Sequence, residues 1–460
     1  MPYILNKYYP TRNIFFAVGE GVIILSSIIF ASYLYYGPKG FIDDMGWLMS
    51  RSLLVTIIAQ LWIYFFDLYD FTNDSVFSDV AIRLTQALGF TCIVLACVYF
   101  LFPTVMIEPK ILLAGYAILF VSITGWRLFY KMVLDKKMFT QAILLVGTGE
   151  LAEIIARDIE TKKDSGFKIV GYVGDTKPVY NPRKLPLFPF GQDLRQVVRD
   201  LRAEKIVVAL DDRRGKMPVE ELLVCRVAGI PVIKVIDFYE GLTGKIMVEK
   251  TNPSWLIFSQ GFNQSRLYLA LKRIVDISAA FIGLGISLPI LIITAILIKF
   301  DSKGPIFYSQ KRVGEKNKAF MVIKFRSMRT DAETNGPVWA QKNDKRVTRV
   351  GNFIRKTRID EIPQMWTVLK GDMSFVGPRP ERPEFVEQLE KIIPYYSLRH
   401  TIKPGITGWA QICFPYGASE EDAVRKLEYD LYYLKNMNLL LDVSIIFRTI
   451  KTVLFKKGGW

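Results

Sequence analysis

Four long apolar runs lie in the first 130 residues and constrain the fold more than any other feature of the chain. They cover about residues 14–36, 47–66, 84–107 and 111–130. Each is long enough, as a helix, to cross a bilayer core of roughly 30 Å. The sequence therefore predicts an α-helical membrane bundle of four spans, which we assign to residues 1–137.

Charged residues around and within these runs predict the orientation of the bundle. Lys7 and Arg12 precede it and Arg127 and Lys131 follow it, whereas the short connections between spans carry few basic residues. The positive-inside tendency then places both ends in the cytoplasm. Glu20 lies within the first run, and we expect it to make a contact inside the bundle.

Composition narrows the classes of site that the chain can carry. Of its 460 residues 51% are hydrophobic, yet the net charge is +16, which favours a surface that meets anions. His400 is the one histidine, so metal sites that need two imidazoles are excluded. The four cysteines form no CxxC pair, and neither a disulfide framework nor a zinc knuckle is indicated. Nucleic-acid binding would explain the net positive charge but no other feature of the sequence. We therefore expect no specific nucleic-acid partner.

The middle of the chain alternates predicted strands and helices. A buried-strand pattern at 141–146 is followed by Gly147 and Gly149, which open a helix, and further strands are predicted at 167–173, 205–210 and 231–235. This alternation is typical of a parallel, Rossmann-like α/β domain, which we assign to residues 138–250. The two glycines are the candidate cofactor-binding residues, but a lone glycine turn is weak evidence. The best acidic ribose partner, Asp175, lies beyond the usual spacing of about 20 residues, so a nucleotide-free structural or regulatory domain is favoured.

A fifth apolar stretch, 274–298, differs from the first four. By length alone it is another span. Pro289 lies in its middle, however, and basic residues flank both ends, beginning with Lys272 and Arg273. We therefore predict a re-entrant helix over about 272–300, broken near Ser287 and Pro289, that enters and leaves the membrane on one face.

Residues 304–414 carry the most distinctive motifs. The motifs include Lys324-Phe-Arg-Ser-Met328, Arg355-Lys-Thr-Arg-Ile-Asp360-Glu361-Ile-Pro-Gln364, Gly377-Pro-Arg-Pro380 and Lys403-Pro-Gly-Ile-Thr-Gly-Trp-Ala-Gln411. An adjacent carboxylate pair thus lies among many cations. Such a pair is often only a solvated salt-bridge cluster. Here Pro363 can place the pair in the first turn of a helix, whose N-terminus favours anions. The two carboxylates can then take two different roles.

These joint motifs resemble the monotopic phosphoglycosyl transferases of bacterial polysaccharide assembly. The resemblance covers about residues 266–460, and the domain order is similar to the large branch typified by undecaprenyl-phosphate galactose and glucose phosphotransferases. It implies a mixed α/β monotopic catalytic domain over 251–460 that contains the re-entrant helix. The implied reaction moves a hexose 1-phosphate from a UDP-sugar to polyprenyl phosphate and releases UMP, with Mg²⁺ as cofactor. A homodimer in the bacterial inner membrane, catalytic on the cytoplasmic face, is also implied, whereas the hexose is left open between galactose, glucose and others.

The resemblance also implies roles for individual residues. Asp360 would be the nucleophile that forms a covalent phosphosugar intermediate and would contact the metal, while Glu361 would assist activation of the lipid phosphate. Phosphate or nucleotide binding is implied for a set of seven cations, namely Arg355, Arg358, Arg379, Lys324, Arg326, Lys272 and Arg273. One departure is visible, since Leu288 separates Ser287 from Pro289 where small members of the family have serine next to proline.

A second function remains open at this point. A membrane bundle followed by a Rossmann-like domain also introduces nucleotide-sugar dehydratases and oxidoreductases, which need an intact cofactor site and a Tyr-x-x-x-Lys pair. Tyr268 and Lys272 have that spacing. They begin the apolar re-entrant segment rather than follow a nucleotide-binding strand, so we interpret the match as accidental.

Overall fold

The computed structural model describes residues 3–4, 7–8, 10–69, 77–136, 138–162, 164–211, 217–330, 346–414, 417 and 419–454. Apart from Lys7, which groups with the second unit, the described chain divides between Phe238 and Tyr239 into two compact units. The second unit therefore begins earlier than the predicted limit at residue 250. Within it, Ile246 N donates to Glu428 O at 3.0 Å and Lys245 pairs with Glu428 at 2.9 Å. The predicted limits at 137 and 460 lie outside the described residues.

The first unit begins with the apolar helices. Two short strands, β1 (Tyr3–Ile4) and β2 (Lys7–Tyr8), precede them. The helices are α1 (Thr11–Asp43), α2 (Met45–Phe65), α3 (Phe77–Leu101) and α4 (Pro109–Asp135), with a 3₁₀ turn at Pro103–Val105. Gly37 has φ 69° and interrupts α1 just before Pro38, so the apolar part of α1 ends there. All four helices are long and apolar enough to cross a membrane.

A buried ion pair holds the bundle together. Glu20 is fully buried, and its Oε1 accepts from Arg127 Nη2 at 2.6 Å. Arg127 also donates to the carbonyl of Leu68 at 3.0 Å and lies over the Phe16 ring. Because a buried charge is tolerated only when it is paired, this contact explains a carboxylate in an apolar run. The expectation that Glu20 makes a contact inside the bundle is confirmed through Oε1, whereas its buried Oε2 has no hydrogen-bond partner among the described residues.

The rest of the first unit is a five-stranded sheet with every strand pair parallel. Its strands are β3 (Gln141–Val146), β4 (Phe167–Val173), β5 (Leu187–Phe188), β6 (Lys205–Val208) and β7 (Val232–Lys234), in the order β5-β4-β3-β6-β7. The helices are α5 (Glu150–Thr161), α6 (Leu194–Asp200) and α7 (Val219–Val227). After Gln141 and Lys205 at their starts, central strands β3 and β6 are continuous apolar runs, as expected where both faces of a sheet are covered. The predicted Rossmann-like sheet is confirmed.

The second unit is a mixed α/β assembly. After α8 (Val235–Thr243), its helices are α9 (Pro253–Phe258), α10 (Arg266–Asp301), α11 (Arg349–Lys356), α12 (Gln364–Lys370), α13 (Pro383–Ile392), α14 (Trp409–Cys413), α15 (Glu420–Lys435) and α16 (Leu439–Leu454). An antiparallel hairpin joins β8 (Phe307–Val313) to β9 (Ala319–Phe325), and β10 (Ser374–Val376) pairs in parallel with β11 (Gly405–Thr407). Further 3₁₀ turns lie at Glu315–Asn317, Ile359–Glu361 and Tyr396–Thr401.

Helix α10 is the fifth apolar helix in the described part of the chain. It continues through Pro289 as one assigned helix, so the break predicted near Ser287 and Pro289 does not end it. Asp276 Oδ1 accepts from Phe375 N at 3.0 Å, and Asp301 Oδ2 accepts from Val350 N at 3.0 Å. Asp276, in the first third of α10, and Asp301, at its last residue, therefore both contact other elements of the second unit. Between them, large apolar side chains such as Phe281, Ile286 and Ile293 remain exposed.

Candidate active site

The carboxylate pair lies in a 3₁₀ turn between α11 and α12. Arg358, at φ 59°, adopts a left-handed conformation, which ends α11 and turns the chain into Ile359–Glu361. Pro363 follows as the residue that precedes α12. The pair thus lies in its own turn ahead of α12, and the prediction that it occupies the first turn of an α-helix is wrong.

Glu361 is held by cations from three parts of the chain. Its Oε1 accepts from Lys324 Nζ at 2.9 Å and from Arg379 Nη2 at 2.8 Å, with Arg358 Nη1 at 3.7 Å. Burial by itself raises the pKa of this carboxyl, but Lys324, Arg379 and Arg358 together bring the pKa well below its usual range. Glu361 is therefore ionised throughout the physiological range.

Asp360 has the opposite environment. Its side chain is 7% exposed, and among the described residues its Oδ1 has no hydrogen-bond partner. Burial, and then the neighbouring Glu361 charge, raise the pKa of Asp360 to about 6, against the attraction of Lys324, Arg355 and Arg358. Two adjacent carboxyls whose pKa values are driven apart are suited to two different roles.

Three of the predicted phosphate-binding cations lie elsewhere. Arg326 donates to the carbonyls of Ser302 (2.7 Å) and Lys303 (3.0 Å) after α10, and Arg273 donates to those of Val368 (2.6 Å) and Leu369 (2.8 Å) at the end of α12. Carbonyls at and just after the C-terminal end of a helix attract cationic side chains.

Lys272 is likewise engaged in packing, since its Nζ pairs with Asp442 at 2.9 Å. Tyr268 OH and Tyr433 OH donate to the same carboxylate at 2.9 and 2.6 Å. The structure therefore brings Lys324, Arg358 and Arg379 to the pair, with Arg355 close enough to act on the pKa of Asp360. It gives Lys272, Arg273 and Arg326 structural contacts instead.

Two buried residues behind Arg379 were missed by sequence reasoning. Arg399 donates to the Arg379 carbonyl at 3.0 Å and to Tyr396 OH at 2.7 Å, and it pairs with Asp430 at 2.8 Å. Both charged side chains are at most 5% exposed. Neither lies in a motif that distinguishes it from an ordinary surface charge, so only the burial and the contact identify them. His400, next in sequence, has its pKa lowered to about 3 by burial and by Arg399, which leaves it neutral.

The site fits a magnesium ion that is shared with a substrate. The described residues contain no group of three or more His, Cys, Asp or Glu side chains able to form a complete metal site. Mg²⁺, however, is usually held by one or two carboxylates together with substrate phosphates. Among the described residues, the Oδ1 of Asp360 has no hydrogen-bond partner and would be such a ligand atom. A carboxylate oxygen flanked by cations also has the surroundings that attack on a phosphate requires.

Comparison with known proteins agrees with this arrangement. The bacterial sugar transferase family matches residues 267–456, and a CoA-binding domain family matches residues 64–223. The UDP-N-acetylgalactosamine-undecaprenyl-phosphate N-acetylgalactosaminephosphotransferase of Aeromonas hydrophila is 45% identical over 57% of this chain and 60% of its own length. The UDP-glucose:undecaprenyl-phosphate glucose-1-phosphate transferase of Escherichia coli (strain K12) is 34% identical over 66% of each chain.

A shorter relative aligns with this chain over almost its whole length. The exopolysaccharide production protein PSS of Rhizobium leguminosarum bv. phaseoli is 40% identical over 42% of this chain and 99% of its own length. The aligned residues thus account for nearly a whole protein of that kind. The family match over 267–456 contains the carboxylate pair and its cations. Apolar helices and a mixed α/β unit are what a membrane-anchored member requires. This chain belongs to the bacterial sugar transferase family.

Proposed function

We propose that the chain transfers a sugar 1-phosphate from a UDP-sugar to undecaprenyl phosphate and releases UMP. Family membership and the names of the Aeromonas and Escherichia relatives support this reaction class. The observation that carries it is the buried Asp360, whose free Oδ1 adjoins an ionised Glu361 bound by Lys324 and Arg379.

In the proposed first step, an Asp360 carboxylate oxygen attacks the phosphorus that bears the sugar. A bond forms between that oxygen and phosphorus, the bond from the phosphorus to the bridging oxygen breaks, and UMP leaves with the electron pair. In the second step an oxygen of undecaprenyl phosphate attacks the same phosphorus and the Asp360 carboxylate leaves. The acyl phosphate between the steps remains reactive, so it can drive the second transfer.

The surrounding charges suit this chemistry. A sugar diphosphate repels an anionic nucleophile, and the guanidinium groups of Arg355, Arg358 and Arg379 would offset that repulsion. Asp360 and the donor phosphates would hold Mg²⁺, which supplies further charge neutralisation when bound. Glu361, ionised and fixed by Lys324, would assist activation of the acceptor phosphate by orienting its proton.

Two displacements also allow the substrates to arrive separately, the donor through water and the acceptor through the bilayer. We propose that α1–α4 span the bacterial inner membrane and that α10 is re-entrant, with the catalytic unit on the cytoplasmic face. The contacts of Asp276 and Asp301 support this course, because α10 meets other elements of one unit on both sides of its apolar middle, whose large side chains stay exposed. A homodimer stays a prediction.

Cysteine labelling tests the course of α10. Asn263→Cys and Lys303→Cys place thiols at exposed positions before and after the helix. A membrane-impermeant maleimide should label neither in spheroplasts and both in inverted membrane vesicles, relative to the native cysteines. Labelling of just one of them from outside would mean that α10 crosses the membrane.

A donor panel tests the reaction. The purified full chain, with Mg²⁺ and undecaprenyl phosphate, is offered UDP-N-acetylgalactosamine, UDP-galactose, UDP-glucose and UDP-N-acetylglucosamine while UMP is measured. The Aeromonas relative makes UDP-N-acetylgalactosamine the first donor to try. UMP release that needs the lipid acceptor for multiple turnovers is expected with at least one donor, and failure with every donor would reject the proposal.

The oxidoreductase alternative finds little support. Tyr268 and Lys272 both contact Asp442 within the second unit, so they act in packing there, whereas the parallel sheet belongs to the first unit. Reduction of added NAD⁺ or NADP⁺ by UDP-sugars would reverse this judgement.

A further inference from the structure

The glycine turn of the first unit has the position at which a Rossmann-like domain holds a phosphate. It joins β3 to α5 at the carboxyl edge of the sheet, where the first N–H groups of the helix would meet a pyrophosphate. The family match over this region names CoA as a ligand. Whether the turn accepts CoA or a dinucleotide depends on what else meets those N–H groups.

An internal carboxylate already occupies them. Asp211 Oδ2 accepts from Glu150 N and Asp211 Oδ1 accepts from Leu151 N, both at 2.9 Å. Asp211 comes from the segment after β6, 61 residues further along the chain. A phosphate would need the same two donors, and it would also face the charge of Asp211 at contact distance.

The glycines admit this segment rather than a ligand. Gly147 has φ 126°, and a Cβ there would overlap the backbone oxygen of Ala209, while a Cβ on Gly149 would overlap the carboxylate of Asp211. Glycine is thus required at position 147 by its φ and by the approach of the backbone, and at position 149 it leaves room for the Asp211 carboxylate. The usual reason for such glycines, access of a pyrophosphate to the backbone, does not apply.

The other side of the turn is covered as well. Thr148 O accepts from Val179 N at 3.1 Å, and the hydroxyls of Thr148 and Thr176 are 2.8 Å apart. Asp175, the predicted ribose partner, accepts from Phe190 N at 3.3 Å. The groups that would bind a nucleotide therefore already have hydrogen-bond partners within the first unit.

We propose that Asp211 is a built-in substitute for phosphate, so that the turn from β3 to α5 binds neither CoA nor a dinucleotide. The carboxylate instead fixes the end of β6 to the start of α5 and closes the carboxyl edge of the sheet. In this proposal Gly147 and Gly149, predicted as cofactor-binding residues, serve chain packing.

Hydrogen–deuterium exchange on the full chain tests the proposal at the turn itself. Because the exchange of individual amides is measured, nucleotide binding at the catalytic unit does not affect the result. The amides of Glu150 and Leu151 should be protected without any ligand, and millimolar CoA or NAD⁺ should not change their exchange. Asp211→Ala should speed their exchange about tenfold or more, as expected on loss of a charged acceptor. Asp211→Asn, which keeps one acceptor oxygen, should have an intermediate effect and guards against a variant that fails to fold.

Asp200→Asn is the matched control, because it removes one exposed carboxylate from another helix of the same domain and should leave these amides unchanged. Protection of residues 147–153 by CoA or NAD⁺ in the unmodified protein would overturn the proposal. Unchanged exchange in both Asp211 variants would overturn it too.

Discussion

Arg399 Nη2 donates to the backbone carbonyl of Arg379 at 3.0 Å, and Arg379 in turn donates to Glu361 at 2.8 Å. The position of Arg379 in the site is thus set by a second cation, the buried Arg399. Asp430 balances the charge of Arg399 at 2.8 Å, although burial raises the pKa of Asp430 to about 6. The pair of Arg399 and Asp430 allows the pair of Arg379 and Glu361 to hold a fixed geometry before substrate arrives.

Arg399 should therefore act as a positioning residue for donor binding. Arg399→Met should raise the donor KM about tenfold or more with a smaller change in kcat, because a hydrogen bond to a charged group is lost and Arg379 moves. Arg399→Lys should restore part of the loss. The exposed Arg425→Met on α15 is the control, and a fall in kcat alone, at constant KM, would contradict the positioning role.

Replacing Asp360 should remove the covalent step. Asp360→Asn nearly preserves the shape of the side chain but not its nucleophilic carboxylate, so neither UMP release nor phosphosugar labelling of the protein should be detected. Intact-mass measurement after incubation with the donor checks this. Glu387→Gln, an exposed change on α13, should label normally. Labelling retained in Asp360→Asn would reject Asp360 as the nucleophile.

The raised pKa of Asp360, about 6, predicts the pH dependence of the first half-reaction. The protonated carboxyl predominates below that pH and cannot attack, so the labelling rate should rise about tenfold per pH unit below 6 and level off above about 7. Glu361 stays ionised over this range and adds no second step. Labelling without lipid acceptor isolates the effect, since a phosphate monoester also titrates near 6. A rate independent of pH from 5 to 8 would contradict the assignment.

Lys324 should matter through both carboxyls. Its charge lowers the pKa of Asp360 and holds Glu361. Lys324→Met should therefore move the midpoint of that pH profile upward and slow labelling at pH 7, on the order of 10²-fold. Lys391→Met, exposed on α13, should change neither quantity. A slower reaction with an unmoved midpoint would show that Lys324 acts by packing alone.

In the bundle, Arg127→Met should leave Glu20 buried without its cation. Breaking a buried pair in this way costs about 3 kcal/mol or more, so the thermal midpoint of the protein in detergent should fall. Adding Glu20→Gln should recover part of the loss. Lys131→Met, an exposed change on the same helix, should have little effect. If the single and double variants melt alike, the pair contributes no coupling.

Local patterns were sufficient for the elements and for the kind of chemistry. The apolar runs predicted the long apolar helices, the alternation of strands and helices predicted the parallel sheet, and the joint motifs around Asp360 and Glu361 indicated the family. These follow from the sequence because hydrophobic length, period and neighbouring charge act over a few residues. The exceptions are also local, since neither the 3₁₀ turn at the pair nor the continuity of α10 through Pro289 was predicted.

Tertiary structure alone decided which charges meet. Lys324 and Arg379 reach Glu361 from 37 and 18 residues away, whereas Arg326 and Arg273, equally basic in sequence, are taken by the carbonyl ends of helices. In the first unit, Asp211 takes the place that two glycines had suggested for a ligand. The physical reason is that a charged side chain is assigned by the partner that packing brings within about 3 Å of it, and one-dimensional spacing does not contain that distance.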